Sequence, residues 1–529
     1  MSASVETELK LLVSDAAMAA LPLAAPLRDL PKRVVRLDAI YFDTADCLLQ
    51  RHGMALRLRR AGRQWTQTLK ADQAVAQDGD SGATAESGAA TGGLSARTEW
   101  EWPLTLQAGE PRPDRARLRA TPAAALLRAH PKAGPLRPVF RVRVRRTLWE
   151  ARSGASRIEV ALDQGRIDAR PGGRRASVPV AELELELKEG RAADLVRLAL
   201  KLVGSGRAAL ALVPATRSKA ERGYRLAAGA TTPAMKAAAR GFEATLEPDM
   251  AASAALRAIV ARGLHVLLAN AEALRGMHNP EYVHQARVAL RRMRSALRQL
   301  DPEQQDFPAS SARELQWIAR ALGEARDGDV LVEHSLPLLT DTVPPELRVA
   351  AASMLAHARV RRDAARGRAA AALLTPRFAR STLQLQAWTL TPVPETANRP
   401  LTRLAPRVLS RAHERLFEAA QFFAALSPER RHRVRILAKR LRYALDILSV
   451  ALPPAAVKPY AEALAKLQDV LGELNDAAVL IAELPHFTAS RALLDHAQQW
   501  YTAYGLPLLL DAEARLLALL ESGRPWAKT

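Results

Sequence analysis

Two hydrophobic periods divide the chain into a β-rich part and a helical part. Up to about residue 225, apolar and polar residues alternate with period two, which predicts half-buried β-strands. From about residue 248, apolar residues recur at i, i+3, i+4 and i+7, which is typical of amphipathic helices. We therefore predict an α+β fold, with a β domain at 1–225 and an all-α domain at 248–525. The alternating segments are VETELKLLV (5–13), ALRLRR (55–60), RTEWEWPL (97–104), FRVRVRRTLW (140–149), RIEVAL (157–162) and AELELELK (181–188).

Three further segments complete the predicted organisation. Residues 71–97 are rich in Gly, Ala and Ser and have no period, so we interpret them as a flexible insertion between two strands. The pattern of residues 191–204 predicts a short amphipathic helix. Residues 226–247 are interpreted as a linker to the helical domain.

The polar faces of the predicted strands are charged, and several carry mostly one sign. Such faces fit a β-sandwich with charged residues towards solvent. They fit equally a barrel whose lumen is charged and whose apolar faces pack against helices. A lumen with both signs is expected to bind a metal–polyphosphate complex, because Mg²⁺ and Mn²⁺ prefer carboxylate oxygens and arginine suits phosphate. The charged faces are Glu6, Glu8 and Lys10; Arg57 and Arg59; Arg141, Arg143 and Arg145; and Glu182, Glu184, Glu186 and Lys188.

The helical part contains an internal repeat. HQARVALRRMR (284–294) and HRVRILAKRLR (432–442) share their basic spacing, 148 residues apart. Each follows a helix start, Asn-Pro-Glu or Ser-Pro-Glu, with an N-cap side chain and proline at the first helical position. Downstream, LGEARDGDVL (322–331) matches LGELNDAAVL (471–480). We predict a tandem duplication into two helical bundles, at about 248–400 and 401–525.

The basic residues of each copy form a stripe on one helix face. Like charges at i, i+4 repel by a few tenths of a kcal/mol per pair, so a stripe favours a bound anion over an ordinary solvated face. The histidines lack a Cys or carboxylate at ligand spacing, so we expect phosphate donors or structural residues rather than metal ligands. Asp327 and Asp476 are expected to orient arginines or to cap a turn. The stripes are His284, Arg287, Arg291 and Arg294, and His432, Arg435, Lys439 and Arg442.

Composition narrows the partners. The formal net charge of +22 and pI near 10.8 favour polyanions. The stripes lack the interleaved aromatics that base stacking needs, so nucleic acid is not the expected partner. A single Cys47, no evident signal peptide and no apolar run of 18 residues predict a soluble cytoplasmic protein without a membrane partner.

The first part resembles CYTH domains, the triphosphate tunnel metalloenzymes, over about residues 1–225. VETELK places Glu6, Glu8 and Lys10 in the ExExK signature. The second part resembles a CHAD domain over about 248–525, and both basic stretches correspond to its HxxRVxxRRxR motif. Further CYTH-like matches, in order, are Arg57, Arg59, Lys70, Glu99, Glu101, Arg141, Arg143, Glu159, Asp163, Glu182, Glu184, Glu186, Ser218 and Lys219.

The resemblance implies an eight-stranded antiparallel tunnel that hydrolyses inorganic triphosphate with Mg²⁺ or Mn²⁺, and a helical domain that binds inorganic polyphosphate through both stripes. Glu6, Glu8 and Lys10 are the implied catalytic residues. The implied metal ligands are Glu6, Glu8, Asp163, Glu182, Glu184 and Glu186, with Glu159 as a further candidate. The implied triphosphate ligands are Lys10, Arg57, Arg59, Lys70, Arg141, Arg143 and Lys219.

Two alternatives to inorganic triphosphatase stay open. The same tunnel motif serves hydrolysis of thiamine triphosphate and cyclisation of ATP by an adenylate cyclase. A non-catalytic protein that binds polyphosphate and associates with granules in the cytoplasm would also use both domains. The sequence does not indicate an oligomeric state.

Overall fold

A closed β-barrel forms the first half of the structure, a computed structural model. The structure describes residues 4–72, 92–105, 111–230, 235, 246–275, 279–301, 306–393 and 399–527. The chain divides into a barrel unit, 1–235 with 373–391, and a helical unit, 236–372 with 392–529. The domain boundaries at 1–225 and 248–525 stay predictions. The barrel unit nevertheless includes a segment from within the predicted first repeat.

Eight antiparallel strands close the barrel in the order β5-β4-β3-β2-β6-β7-β8-β1, and β5 pairs back with β1 through the register Glu6↔Arg97. A short ninth strand extends β1. The predicted eight-stranded barrel is confirmed, and the sandwich alternative is wrong. The strands are β1 Ser4–Val13, β2 Lys32–Asp43, β3 Met54–Ala61, β4 Gln64–Asp72, β5 Leu94–Leu104, β6 Arg137–Ser153, β7 Ser156–Ala169, β8 Ala176–Glu189 and β9 Leu212–Pro214.

Helices surround the barrel and build the helical unit. The predicted amphipathic helix at 191–204 is α4, which buries Leu195, Leu198 and Leu202. Of the helices below, α1 to α5 and α12 belong to the barrel unit. The helices are α1 Asp15–Ala20, α2 Leu48–Arg51, α3 Pro122–Ala129, α4 Ala192–Val203, α5 Lys219–Ala227, α6 Ala252–Leu274, α7 Pro280–Leu300, α8 Ala309–Ala321, α9 Gly323–Val330, α10 Leu336–Thr340, α11 Arg348–Ala372, α12 Pro376–Thr389, α13 Leu401–Ala420, α14 Pro428–Leu448, α15 Pro454–Glu483 and α16 Arg491–Glu521.

The helix α5 packs against the apolar end of the barrel lumen. Inward-facing Tyr41, Phe140 and Val142 form one buried cluster with Tyr224 of α5. Gly223 lies flat on the Phe140 ring, where an added Cβ would come within 2.1 Å of a ring carbon. The close approach therefore requires glycine, and it holds α5 deep enough to deliver its first residues to the lumen.

Two predicted segments fall partly outside the described residues. The strand β4 runs to Asp72 and β5 begins at Leu94, so the predicted insertion at 71–97 overlaps both strand ends. Residues 73–91 of this insertion lie outside the described part of the chain, as do 231–234 and 236–245 of the predicted linker.

The two repeated basic segments form equivalent helices. The helix α7 starts at the N-cap Asn279 and α14 at the N-cap Ser427, and each has proline in its first turn. The downstream copies differ. LGELNDAAVL lies within the continuous α15, whereas its counterpart forms α9 and then passes into a π-helical turn at Leu331–Ser335.

One helix among the described residues is long and apolar enough to cross a membrane. This helix, α6, has a mean hydropathy of 1.4 over its most apolar 18-residue window, of which 72% is buried inside the protein. A buried core helix meets the same criteria, so length and composition are weak evidence for a membrane span.

Candidate functional site

A charged cavity of about 210 Å³ occupies the barrel lumen. All eight barrel strands and the start of α5 contribute side chains, because successive residues of each strand point alternately inwards and outwards. The lumen thus brings together most of the residues that the sequence predicted. Those residues are Glu6, Glu8, Lys10, Arg57, Arg59, Lys70, Glu159, Asp163, Glu184, Glu186 and Lys219.

Three carboxylates converge at one side of the lumen. One oxygen each of Asp163, Glu182 and Glu184 lies within 4.8 Å of the others. The β7–β8 register explains this closeness, because Asp163 is directly opposite Glu182, and Glu184 follows two residues later on the same face. Asp163 and Glu182 are fully buried. This oxygen-only donor set fits Mg²⁺ or Mn²⁺, and Glu6, Glu8 and Glu186 line the same cavity.

Cations from α5 and β6 neutralise these carboxylates. Lys219 Nζ lies 2.8 Å from Asp163 and 2.8 Å from Glu184, and it also contacts Glu182. Arg146 donates to Asp163 at 2.7 and 2.8 Å and to Glu184 at 2.5 Å. Burial acts to raise the pKa of Glu184, but Lys219 and Arg146 outweigh it and hold that pKa well below its usual range. Glu184 is therefore ionised and available as an oxygen ligand at neutral pH.

The ExExK residues lie on β1, the strand next to β8, where Lys10 is the register partner of Glu184. Glu6 contacts Lys70 and Glu8 contacts Lys10. Burial raises the pKa of Glu6, with Lys70 opposing the shift. Burial also disfavours charge on Glu8, but Lys10 and Lys70 outweigh it and lower its pKa. The two glutamates thus differ in proton affinity although they lie two residues apart on one strand face.

Arg57 and Arg59 lie side by side on β3 and repel one another. The pKa of Arg59 is lowered chiefly by the charge of Arg57 and then by burial. Glu101 lies 3.0 Å from Arg59, while Glu99 is 3.7 Å from Arg57. A phosphate chain between the arginines and Lys70 would relieve this repulsion, so the arrangement favours an anionic ligand.

Arg141 and Arg143 lie on the outer wall of the barrel, which corrects their prediction as triphosphate ligands. Arg141 donates to Asp38 at 2.5 and 2.6 Å, and Arg143 pairs with Asp168 at 2.6 Å. The inward residues of this part of β6 are Val142 and its neighbour two residues on, Val144. They face inwards because α5 fills that end of the lumen with apolar side chains.

Sequence reasoning missed several lumen residues. Arg146 takes the next inward position of β6 and is opposite Asp163 in the β6–β7 register. Arg97 of β5 lies 3.1 Å from Asp72, and Arg222 of α5 donates to Glu182 at 3.0 Å. Arg146 had a usable signal, because it breaks the alternation of RVRVRR. The position of α5 had none, since nothing in its sequence places a helix inside a barrel.

In the helical unit the two predicted stripes face one another. The guanidinium of Arg291 on α7 lies over the ring of Tyr443 on α14, 5.0 Å from its centroid, and Arg292 approaches Asp446 at 3.9 Å. Two equivalent ion pairs reflect the duplication: Arg287–Asp327 at 3.8 Å and Arg435–Asp476 at 3.5 Å. The aspartates thus lie where they can orient the arginines, as the sequence predicted.

The facing stripes share an excess of positive charge. Burial lowers the pKa of Lys439 to about 8, assisted by Arg435 on its own helix and by Arg291 on the opposite one. Burial likewise lowers the pKa of His284, with Arg326 as the next cause. The second histidine differs, because His432 Nδ1 donates to the side-chain oxygen of Asn475 at 2.5 Å. Partly buried cations this close to other cations favour a bound anion.

Comparison with known proteins assigns both parts of the chain. Residues 4–224 match the CYTH domain, and residues 258–485 match the CHAD domain. A curated relative, an inorganic triphosphatase from Haemophilus influenzae, is 31% identical over 191 residues, which cover 36% of this chain. That match covers 47% of the relative, so the chain spans about half of the relative's length.

Two solved structures are also similar to parts of the chain. The CHAD domain from the plant Ricinus communis is 30% identical with a TM-score of 0.44, over 55% of this chain and 97% of that one. A candidate adenylyl cyclase from Hippeastrum, with a dominant triphosphatase activity, is 17% identical with a TM-score of 0.28, over 43% of this chain and 98% of that one. The two domain matches together cover most of this sequence, which therefore belongs to the proteins that join a CYTH domain to a CHAD domain.

Proposed function

We propose that the barrel hydrolyses inorganic triphosphate to diphosphate and phosphate, with Mg²⁺ or Mn²⁺ as cofactor. The observation that carries this proposal is a single lumen in which a buried carboxylate cluster lies opposite a row of arginine and lysine side chains. The similarity to an inorganic triphosphatase supports the same substrate.

The lumen carboxylates would have two roles, to hold the metal ion and to orient the attacking water. Glu6, Glu8, Asp163, Glu182, Glu184 and Glu186 would hold the ion, which when bound neutralises phosphate charge and activates water. A lumen carboxylate orients the attacking water in line with the terminal phosphorus, and diphosphate departs as the leaving group.

The cations hold the substrate. Arg57, Arg59 and Lys70 approach the phosphate chain from β3 and β4, while Lys10 and Lys219 flank the carboxylates. Each neutralises charge that the phosphoryl oxygens carry through the reaction, so positioning and electrostatics supply most of the rate. Arg146 joins this set, because it already bridges Asp163 and Glu184.

A substrate panel tests the proposal. Phosphate release is measured from inorganic triphosphate, thiamine triphosphate, ATP and long-chain polyphosphate, with Mg²⁺ or Mn²⁺ and with a chelator. We expect triphosphate to have the highest kcat/KM and the chelator to abolish its hydrolysis. Preference for thiamine triphosphate would identify that compound as the substrate, and formation of cyclic AMP from ATP would identify an adenylate cyclase. No turnover of any compound would favour a binding protein.

We also propose that the helical unit binds inorganic polyphosphate between the facing stripes. The specific support is the closeness of positive charges from two helices: burial lowers the pKa of Arg435 and Lys439 on α14, and the charge of Arg291 on α7 lowers both further. An extended polyanion between α7 and α14 would contact both stripes at once and release counterions.

A further inference from the structure

The outer wall of the barrel carries a basic face that the lumen chemistry does not use. The arginines of RVRVRR that the sequence assigned to the tunnel belong to it. Their neighbours on β2, β3 and β7 extend the face, and the carboxylates that pair with it are Asp38 and Asp168. The outward-facing cations are Lys32, Arg36, Arg60, Arg141, Arg143, Arg145 and Arg166.

Two of these arginines oppose one another without compensation. Arg36 on β2 and Arg145 on β6 are direct partners in the antiparallel register, and both are exposed. Within the described ranges, neither has a carboxylate within 4 Å. Like charges directly opposite on paired strands destabilise a sheet. The pair therefore favours a bound anion, and the guanidinium fork suits phosphate in particular.

Arg145 of this pair lines a cavity of about 130 Å³, and Arg36 is two residues along β2 from Val34, another lining residue. Lys32, Arg145 and Gln164 form its polar side. Its apolar lining is Met18, Pro22, Val34 and Leu162, of which Val34 is 46% exposed. An inorganic anion would leave this apolar wall in water, whereas a ligand with a short hydrocarbon group would cover it.

We propose that this outer-wall site binds a small phosphate monoester. The phosphate lies among Lys32, Arg36 and Arg145, and the organic group packs against Met18, Pro22 and Val34. The side chains point away from the lumen, so the site is separate from the tunnel and does not depend on the proposed hydrolysis. A soluble metabolite or the headgroup of a phosphomonoester lipid would present the same chemistry.

Met18 provides a local reporter for the test. Methyl-¹³C methionine is incorporated into the full chain, and the Met18 resonance is assigned from Met18→Leu. The protein is titrated with monobutyl phosphate, orthophosphate, n-butanol and vesicles that contain phosphatidic acid. We expect saturable movement of the Met18 signal with monobutyl phosphate, at least tenfold weaker binding of orthophosphate, and no saturation with n-butanol. A response to vesicles but not to monobutyl phosphate would assign the phosphomonoester to a lipid headgroup.

A double variant with a matched control links the signal to the arginines. R36A together with R145A should weaken monobutyl phosphate binding at least tenfold while leaving triphosphate turnover unchanged. The control, R152A with R157A, removes two opposed arginines from the far end of the same β6–β7 hairpin and should bind normally. The proposal would be overturned if neither monobutyl phosphate nor the phosphatidic acid vesicles moved the Met18 signal. It would also be overturned if orthophosphate bound as tightly as monobutyl phosphate, or if the double variant bound monobutyl phosphate as tightly as wild type.

Discussion

Arg146 and Arg143 are three residues apart on β6 and have opposite environments. Arg146 points into the lumen and bridges Asp163 and Glu184, with 16% of its side chain exposed. Arg143 points outwards and pairs with Asp168. The alternation in RVRVRR fixes which residues share a face, but not which face is inside. That choice depends on α5, because its apolar side chains need Val142 and Val144 next to them.

The first expected outcome follows from this register. Arg146→Ala should lower kcat/KM for triphosphate on the order of 10²-fold, because a cation that stabilises phosphoryl charge is lost from a poorly hydrated site. Arg143→Ala is the matched control on the same strand and should stay within about twofold of wild type. Steady-state kinetics and circular dichroism of both variants check this. Equal losses in the two variants would contradict the assigned faces.

Lys439 gives the helical unit a pH dependence. Its folded pKa of about 8 lies below the usual value for lysine, so the charge is complete well below pH 8 and is lost as the pH rises through that value. Polyphosphate affinity should therefore fall between about pH 7 and pH 9 more steeply in wild type than in Lys439→Arg, whose guanidinium stays charged. Fluorescence anisotropy with labelled polyphosphate measures both proteins. Identical pH profiles would show that Lys439 does not contact the ligand.

At the scale of elements, the helix α5 connects the buried apolar cluster at one end of the barrel lumen to the charged residues of the candidate site. A capping box between Ser218 and Glu221 fixes its start, where Lys219 reaches the carboxylates. At its other side, the Tyr224 hydroxyl donates to fully buried Asp43 at 2.9 Å. Asp43 also accepts backbone hydrogen bonds from Leu49 and its neighbour at the start of α2, so one carboxylate joins α2, β2 and α5.

Tyr224→Phe tests this connection. Loss of a hydrogen bond to a buried carboxylate costs about 1.5–3 kcal/mol, so amide exchange in α5 should accelerate by roughly ten- to a hundredfold. The control is Tyr501→Phe, whose hydroxyl has no hydrogen-bond partner among the residues that the structure describes. Hydrogen-exchange mass spectrometry of both proteins measures the effect. Unchanged protection of α5 in Tyr224→Phe would contradict the claim that the hydrogen bond from Tyr224 to Asp43 holds this helix in place.

The stripes on α7 and α14 are expected to act together. Reversal of charge at Arg291, Arg294, Lys439 and Arg442 should abolish polyphosphate binding, because both stripes would then repel the polyanion. A matched control reverses four exposed arginines elsewhere in the helical unit: Arg359, Arg407, Arg411 and Arg491. Binding that survives the first set, or disappears with the second, would show that net charge and not the stripes governs affinity.

The sequence predicted those strands whose charged faces alternate clearly, and it failed where the signal was weaker. In β4, QWTQTLKAD, the inward residues are mainly uncharged threonines and only Lys70 marks the lumen. In β2 the inward residues Leu37, Ala39 and Tyr41 are apolar because α5 covers them, so the inward face of this strand carries no charge. The predictable part of the site is thus the charged part that faces the open lumen. The part that packs against another element depends on tertiary contacts.

At the scale of the whole molecule, the chain joins two proposed sites for phosphate chains, and the two differ in how their charges are arranged. The barrel encloses its charges and balances carboxylates against cations, an arrangement suited to a metal–triphosphate complex. The helical unit exposes a surplus of cations between repeated helices, an arrangement suited to retention of a long polyanion. Duplication explains the second site, because the two copies provide matching stripes and matching arginine–aspartate pairs.

The most direct measurement of the central claim is phosphate release from inorganic triphosphate by wild type, Glu6→Ala and Glu8→Ala, with Mg²⁺ or Mn²⁺ present. Loss of either glutamate removes an expected metal ligand from β1 while the barrel hydrogen bonds of that strand remain. We expect turnover to fall on the order of 10²-fold or more in both variants, with unchanged circular dichroism spectra. Wild-type turnover by both variants would contradict the claim that the barrel lumen is the active site.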